Sequence, residues 1–423
     1  MLYIPVTNMS STLRNPQTSS ILAMLPLISI LFGILPLLVA AAPHTVRAVT
    51  PHLASATLLG DVVDRNLQRD SCGSVKWDTR VLWTCRDTEI LVNQSVPALV
   101  YNNTLAGFLT SSASYTDFEP DGTPAIIAVN NDQYGYDHEL LMYGDNGQHS
   151  FYPLQPDECN SNEAGNCGDG TRFALWPSVP PTIASQGSDG TIVAYTFIRV
   201  EHITNTLGVV DPDPPTSLYR LDYSPSNQGV DETLPSVSLV EEKFWALNTF
   251  AYGDYGTVTH DGYMYLYAET SAYKIALAKV PLSSVEDKTK YQYYVGGQWS
   301  STPPANVNDT SAYLDHPGAG GQGTYYYSEL WQSFVWLGQP AASIDPDLYI
   351  STAPAPEGPW IEPYLLQTFP DGNYTLGAYS FQAHPALLKD TSSNQMYMTY
   401  TKNEAWGDNF AVYTTPLYFL EFA

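Results

Sequence analysis

Residues 257–280 read TVTHDGYMYLYAETSAYKIALAKV, and this stretch decides the fold class. A polar turn at His260-Asp261-Gly262 separates runs that are rich in aromatic and β-branched residues. Apolar and polar side chains alternate along these runs, as is typical of β-strands, because successive side chains point to opposite faces of a sheet. The stretch therefore predicts consecutive short strands joined by tight turns.

The same pattern, a polar turn followed by an alternating strand, recurs along the chain. It is found at residues 186–195 (QGSDGTIVAY) and 392–400 (SSNQMYMTY), with similar pairs near Trp77 and Gly323. Helical signals are confined to residues 282–288, which predict one or two turns at most. Five such units suit an all-β, five-bladed β-propeller with four-stranded blades around a central channel. A pair of β-sandwiches or a β-helix stays an alternative, since their strands have a similar composition.

The composition supports a folded β protein and excludes several other classes. Of the 423 residues, 44% are hydrophobic and 13% aromatic, whereas only 14% are charged, which argues against disorder and coiled coils. The net charge of −26 is spread over the chain without long acidic blocks, so we expect no nucleic-acid partner.

The N-terminus predicts export. Residues 21–42 read ILAMLPLISILFGILPLLVAAA, an uncharged run that ends in small residues suited to signal-peptidase cleavage. The run is also long enough for a membrane anchor, but Pro26, Gly33 and Pro36 interrupt it and favour removal. We predict a signal peptide at residues 1–42, a low-information leader at 43–68 and one propeller domain at 69–423, with no membrane contact after cleavage.

Glycosylation sequons and paired cysteines agree with a secreted, extracellular protein. Acceptor sequons begin at Asn93, Asn102, Asn308 and Asn373. The four cysteines allow three pairings, of which we favour the local pairs Cys72–Cys85 and Cys159–Cys167. Zinc is the rival interpretation, but no Cys-x-x-Cys pair or His pattern accompanies the cysteines. We predict no metal site and no cofactor, with a structural Ca²⁺ in the channel left open.

The first blade yields a candidate site from its register alone. If Asp78 and Thr79 form a two-residue hairpin turn, then Cys72 faces Cys85, and Asp70 faces Asp87. Directly opposed residues have Cβ atoms about 4.5–5.5 Å apart, so one of these carboxyl groups should have a raised pKa. An acid and a carboxylate at one site are what glycosidic-bond cleavage requires. The alternative is that Asp87 caps a turn and Asp70 is solvated; a longer turn would separate them.

Several segments resemble five-bladed, glycosidase-like propellers. Residues 262–299 (GYMYLYAETSAYKIALAKVPLSSVEDKTKYQYYVGGQW) resemble the third blade of such proteins, and residues 347–363 (DLYISTAPAPEGPWIEP) the fourth. Residues 382–388 (QAHPALL) with residues 396–401 resemble the last blade. Arg69-Asp70-x-x-Gly73 and Leu82-Trp83-x-x-x-Asp87-Thr88 resemble the signature of a family long labelled as of unknown function, which includes endo-D-arabinanases. The chain departs from that signature at Cys72, Cys85 and Arg86.

The resemblance implies a glycoside hydrolase of the arabinan-cleaving kind with Asp70 and Asp87 as its carboxylate pair. Residues predicted to contact the sugar are Arg69, Trp176, Tyr327 and His384. Each has a structural alternative, namely a surface salt bridge, a core ring or a core histidine. Glu201, Glu269 and Glu329 lie at strand ends and are reserve acids. We therefore expect a secreted, monomeric enzyme whose partner is a polysaccharide or oligosaccharide. The alternatives are a lectin-like, non-catalytic propeller and a membrane-anchored cell-wall scaffold.

Overall fold

The computed structural model describes residues 48–423 except 92–104, 130–135, 145–148, 205, 226–232, 342 and 407–409. The predicted signal segment and the sequons at Asn93 and Asn102 lie outside the described residues. Helix in the described part is limited to short 3₁₀ turns at Leu282–Ser284, Lys288–Lys290, Thr310–Ala312 and Pro385–Leu387. Within those same ranges, no helix is long and apolar enough to cross a membrane.

The N-terminal part of the described chain builds the first blade, a small separate sheet and three strands (the first, eighth and ninth) that belong to the sheet of the last blade. Its strands are β1 (Leu53–Val63), β2 (Leu67–Arg69), β3 (Cys72–Trp77), β4 (Arg80–Cys85), β5 (Thr88–Leu91), β6 (Leu105–Leu109), β7 (Ser112–Thr116), β8 (Ile126–Ala128) and β9 (His138–Leu141). Blade one has the order β3-β4-β7, and an antiparallel bridge from Tyr115 to Tyr143 extends it outward. Strands β2, β5 and β6 form a small sheet at the end of this blade.

Blades two and three follow in chain order. Their strands are β10 (Thr171–Leu175), β11 (Thr182–Gln186), β12 (Ile192–Thr204), β13 (Thr216–Tyr223), β14 (Ser236–Trp245), β15 (Gly256–His260), β16 (Tyr263–Glu269), β17 (Ile275–Pro281), β18 (Gln292–Val295) and β19 (Gln298–Ser300). Blade two is the antiparallel sheet β11-β12-β13-β14, and blade three is β15-β16-β17-β18-β19. The long β12 also pairs with β10 beyond β11, which extends this blade toward one end of the channel.

Blades four and five complete the ring. Their strands are β20 (Gly323–Ser328), β21 (Ser333–Gly338), β22 (Asp347–Ala353), β23 (Tyr364–Thr368), β24 (Ala378–Ala383), β25 (Gln395–Trp406), β26 (Phe410–Thr414) and β27 (Pro416–Phe422). Blade four is β20-β21-β22-β23, and blade five is β24-β25-β27 completed by β1.

The strand β1 corrects the predicted domain boundary. It pairs antiparallel with β27 from Leu53 to Asp61, so part of the predicted leader at residues 43–68 is the outer strand of blade five. The apolar run that forms β1 buries its last residues, Val62 and Val63 among them. Pairing of the first strand with the last closes the ring and covers an edge that would otherwise be exposed. The propeller domain therefore begins before Leu53 instead of at residue 69.

Apolar side chains fill the space between neighbouring blades. One buried cluster joins Trp77 of blade one to Tyr219 of blade two, and another joins Phe244 of blade two to Leu266 of blade three. A third cluster packs Tyr267 of blade three on blade four, where its ring stacks on Tyr325 with centroids 3.8 Å apart. The last cluster spans blades four, five and one. Every blade thus packs on two neighbours, which confirms the all-β, five-bladed propeller.

The register of the first blade agrees with the register argument from the sequence. Strands β3 and β4 pair with Cys72 opposite Cys85, and Asp78 with Thr79 forms the turn. Both local disulfides are present, Cys72–Cys85 with a Cα–Cα distance of 4.1 Å and Cys159–Cys167 with one of 5.3 Å. Asp78 has a φ of 57°, the left-handed conformation that a short hairpin turn requires.

Candidate active site at one mouth of the channel

The inner strands of the five blades are β3, β11, β15, β20 and β24, and their N-terminal ends meet at one mouth of the channel. Gln322 precedes β20 and, with its amide oxygen turned toward Arg86, donates from its nitrogen to the hydroxyls of Ser71 (2.8 Å) and Ser380 (2.6 Å). Arg86 in turn donates to the Ser178 hydroxyl (2.8 Å) ahead of β11. These bonds connect four blades at the same end. We call this end the acidic mouth, after the five carboxyl groups described next: Asp70, Asp87, Glu201, Asp254 and Glu269.

Asp70 lies between β2 and β3, two residues before the inner strand begins. Its backbone N–H donates to the Asp87 carbonyl (2.9 Å), so the two residues face each other as the register predicted. Its Oδ1 accepts from the hydroxyls of Ser71 (2.9 Å) and Thr401 (3.3 Å). Burial raises the pKa of Asp70 to about 6, with Arg86 opposing the shift and Asp87 adding to it. Asp70 is therefore ionised at neutral pH but takes up a proton in mild acid.

Asp87 is held as an anion by donors on both of its oxygens. Arg172 donates from Nη1 to Oδ1 (3.1 Å) and from Nη2 to Oδ2, and Trp176 donates from its indole N–H to Oδ1 (2.7 Å). Burial raises the pKa of Asp87, and Arg172, Trp176 and Arg86 all oppose that rise. A bidentate guanidinium and an indole N–H require a carboxylate acceptor, which leaves Asp87 without a free oxygen for proton transfer.

The remaining carboxyl groups come from blades two and three and surround Arg199. Arg199 and Glu201 are two residues apart on β12 and share a face. Arg199 pairs with Asp254, its Nε lying 3.2 Å from Oδ2, and its backbone N–H donates to Oδ1 (3.1 Å). Burial is the largest cause of a raised pKa in all three acids, bringing Glu201 to about 7 and Glu269 to about 8.

Among Asp70, Glu201 and Glu269, it is Glu269 whose pKa is raised most strongly. It ends β16, and its Oε1 accepts the backbone N–H of Gly320 at 2.8 Å. Arg199 lowers the pKa of Glu269 and Asp254 raises it, but burial exceeds both effects. Since one oxygen is fixed by a backbone donor, the other is oriented and can carry a proton at neutral pH. Glu269 has the properties of a general acid.

Two sequence-predicted contact residues lie in the interior instead of at the acidic mouth. Arg69 is 5% exposed, and its Nη2 pairs with Asp64 Oδ2 at 2.6 Å. His384 is fully buried between the hydroxyls of Ser74 and Thr399, each 2.7 Å from a ring nitrogen. Burial lowers the pKa of His384 to about 3, so it is neutral. Both side chains are thus engaged inside the protein, and their contact with a sugar stays a prediction from the sequence.

Tyr327 and Glu329 lie at the opposite mouth. They follow the inner strand β20 to its far end, where Tyr327 packs on His260 with ring centroids 4.1 Å apart. Both line a cavity of about 690 Å³ that runs along the channel between the inner strands. Gly323 and Tyr327 are four residues apart on one strand, which separates them by about 13 Å along the channel. Tyr327 and Trp176 therefore cannot contact the same sugar residue.

Asp254, Arg172 and Arg199 are functional candidates that the sequence interpretation missed. Asp254 lies two residues before β15, and Asp70 lies two residues before β3. An acid at this offset from an inner strand is a signal that could have found Asp254. Arg172 and Arg199 carry no such signal, since they lie on β10 and β12 and reach the mouth only through the length of those strands.

A group of acids outside the acidic mouth has the spacing of a cation site. Asp157, Glu158 and Glu242 place their ligand atoms within 4.8 Å of one another. Lys243 already contacts two of them, with Nζ 2.9 Å from Asp157 Oδ2 and 2.7 Å from Glu242 Oε1. Glu242 lies on β14, the outer strand of blade two, so this group is remote from the channel. The sequons at Asn308 and Asn373 lie on exposed loops of the described chain.

Comparisons with known proteins agree with the fold. A family model described as "Domain of unknown function (DUF5005)" matches residues 223–417. The comparison with curated proteins gives no significant match. Among solved structures, the chain is similar to a "putative hydrolase" from Bacteroides ovatus ATCC 8483, at 17% identity and a TM-score of 0.53, with 86% of this chain and 87% of the other covered.

Two further solved structures are similar at lower scores. They are the catalytic domain of a family 62 α-L-arabinofuranosidase from Coprinopsis cinerea (8% identity, TM-score 0.42, covering 89% and 98%) and a family 117 glycoside hydrolase from Zobellia galactanivorans (11% identity, TM-score 0.42, covering 88% and 90%). The similarity to the Bacteroides ovatus structure shows that the chain shares its fold.

Proposed function

We propose that the protein is a secreted glycoside hydrolase that cleaves extracellular or cell-wall polysaccharide, with arabinan as the first substrate to test. The observation that carries this proposal is the meeting of five carboxyl groups from three blades at the acidic mouth. Within this group, burial separates the pKa values of Asp70 (about 6) and Glu269 (about 8). A pair of acids with separated pKa values supplies the ionised and the protonated carboxyl group that glycosidic cleavage needs.

Glu269 is the proton donor in this proposal. Its pKa keeps it protonated at neutral pH, and the Gly320 N–H orients it. It protonates the leaving oxygen of the glycosidic bond as that bond breaks. We assign this role to Glu269 instead of Asp87, because both oxygens of Asp87 are already engaged by Arg172 and Trp176.

Asp70 is the carboxylate that attacks the anomeric carbon or activates water. It is ionised above a pH of about 6, and the Ser71 and Thr401 hydroxyls hold its Oδ1. The Tyr379 hydroxyl is a further hydrogen-bond partner of this carboxyl group. Asp87, which the sequence paired with Asp70, is bound by Arg172 and adds to the raised pKa of Asp70.

A panel assay tests this assignment. Wild type, Asp70→Asn, Asp87→Asn and Glu269→Gln are incubated with arabinans, galactans, fructans and wall glucans, and released reducing sugar is measured. Matched controls are Asp261→Asn, whose side chain is 82% exposed, and Glu329→Gln at the opposite mouth. Circular dichroism verifies folding of each variant. Release that persists in folded Asp70→Asn and Glu269→Gln contradicts the assignment.

A carbohydrate-binding propeller without catalysis is the second candidate, and Arg86 is the observation that favours it. The guanidinium of Arg86 lies among the carboxyl groups and opposes the rise that burial causes in the pKa of each of them. If the panel reveals a bound polysaccharide that is never cut, and Asp70→Asn binds it as well as wild type, the binding function replaces the hydrolase.

A further inference from the structure

Arg86 differs from the other two arginines of the acidic mouth in its partners. Arg172 is paired with Asp87, and Arg199 with Asp254. Within the described ranges, Arg86 forms no ion pair and donates only to neutral oxygens. Its Nη2 donates to the Ser178 hydroxyl at 2.8 Å, while Nη2 and Nε each donate to the Gln322 amide oxygen at 3.0 Å. Arg86 is thus held in place without having its charge neutralised by contact.

The two N–H groups on Nη1 of Arg86 are the unused part of this guanidinium. None of the hydrogen bonds among the described residues involves Nη1, although a guanidinium carries five donors. Gln322 is 2% exposed and is itself fixed by Ser71 and Ser380, so the orientation of the guanidinium is fixed as well. A preorganised arginine with free donors is suited to bind a carboxylate.

The charge balance of the acidic mouth allows an anionic ligand to bind there near neutral pH. The charge of Arg86 acts on the pKa of six titratable groups, which are Asp70, Asp87, Glu201, Asp254, Glu269 and the Tyr379 hydroxyl. Below a pH of about 7, Glu201 and Glu269 are protonated, and Arg172 and Arg199 offset Asp87 and Asp254. The negative charge of Asp70 is then left to balance the positive charge of Arg86. The charges of these groups then sum to about zero, although the net charge of the whole chain is −26. Charges farther away than about 8 Å are largely screened at physiological salt.

We propose that the acidic mouth binds a uronic-acid residue, with Nη1 of Arg86 donating to the sugar carboxylate. The substrate class is then an acidic polysaccharide that carries uronate beside the cleaved bond, and neutral arabinan becomes the comparison substrate. The statement that an acidic polysaccharide is the substrate rests on the proposed glycoside hydrolase function. The statement that the mouth binds uronate does not depend on that function.

Binding is measured by isothermal titration calorimetry with galacturonate and glucuronate oligosaccharides, and with the neutral galactose and glucose oligosaccharides of equal length. The proteins are wild type, Arg86→Met, Arg86→Lys and the control Arg220→Gln on the surface of blade two. We expect wild type and the control to prefer the uronates at least tenfold. Arg86→Met should lose that preference, and Arg86→Lys, which keeps the charge but not the fork of donors, should fall between them.

Affinity for uronate should also rise as the pH falls from 8 to 6, because the mouth takes up protons while the sugar carboxylate stays ionised. Equal affinity of wild type for uronate and neutral oligosaccharides overturns the proposal, and so does a preference that survives in folded Arg86→Met. Uronate binding without release of reducing sugar from any polymer leaves the anion site in place and refutes the hydrolase. Cleavage of neutral polymers without uronate binding leaves the hydrolase in place and refutes the anion site.

Discussion

Replacing Asp70 by Asn should stabilise the folded protein at neutral pH while it removes activity. Partial burial raises the pKa of this carboxyl from 3.8 to about 6. A group whose pKa rises on folding contributes stability below its unfolded pKa, and that contribution is lost as the pH rises through the folded pKa. A difference of about two pH units corresponds to about 3 kcal/mol in the free energy of unfolding, as an upper limit. The ionised Asp70 therefore destabilises the folded state above pH 6.

Urea unfolding of wild type and Asp70→Asn at pH 4 and pH 7.5 measures this effect. At pH 7.5 we expect the variant to be about 2–3 kcal/mol more stable than wild type, apart from any difference in packing between the two side chains. At pH 4 the gap should shrink by about 2 kcal/mol, because the folded wild type is then protonated at this site. Asp261→Asn, at an exposed position, should show no such dependence on pH. A gap of equal size at both pH values would refute the account of Asp70 as a carboxyl group whose pKa rises on folding.

Further predictions follow from the same contacts. The rate of cleavage should have a bell-shaped pH profile that falls below about 6, where Asp70 is protonated, and above about 8, where Glu269 is ionised; a profile flat from pH 5 to 9 contradicts these roles. Glu269→Gln should lower kcat on the cleaved substrate by about 10²-fold or more while Glu329→Gln leaves it unchanged. Replacing Cys72 and Cys85 together by Ala opens a bridge of sequence separation 13, and thermal unfolding should show a loss of about 3 kcal/mol, whereas an unchanged Tm would contradict a stabilising role.

Local geometry explains why part of the candidate site could be predicted from sequence. The hairpin at Asp78-Thr79 is short, so one turn fixes the register of both strands, the Cys72–Cys85 bridge and the opposition of Asp70 and Asp87. Alternating strands and their polar turns predicted the blades for the same reason, since a period of two is a local property. Glu269 could be named as a reserve acid because it ends an alternating run.

Contacts between blades could not be predicted in this way. The role of Asp87 depends on Arg172, which is 85 positions away in the chain, and the buried ring of His384 contacts the hydroxyl of Ser74, which is 310 positions away. Arg69 was expected to reach the sugar, but Asp64 lies within the predicted leader and holds its guanidinium in the interior. The leader itself was misjudged because β1 is a strand only through its pairing with β27 at the other end of the chain.

The most direct test of the central claim is mass spectrometry of polysaccharide digests carried out in isotopically labelled water. The claim is that Glu269 and Asp70 hydrolyse a glycosidic bond at the acidic mouth. With wild type, the account predicts shortened oligosaccharides that each carry one labelled oxygen at the new reducing end, and no such products with folded Asp70→Asn or Glu269→Gln. Shortened products in equal amount from the variants, or none from wild type on neutral and acidic polymers alike, would contradict it.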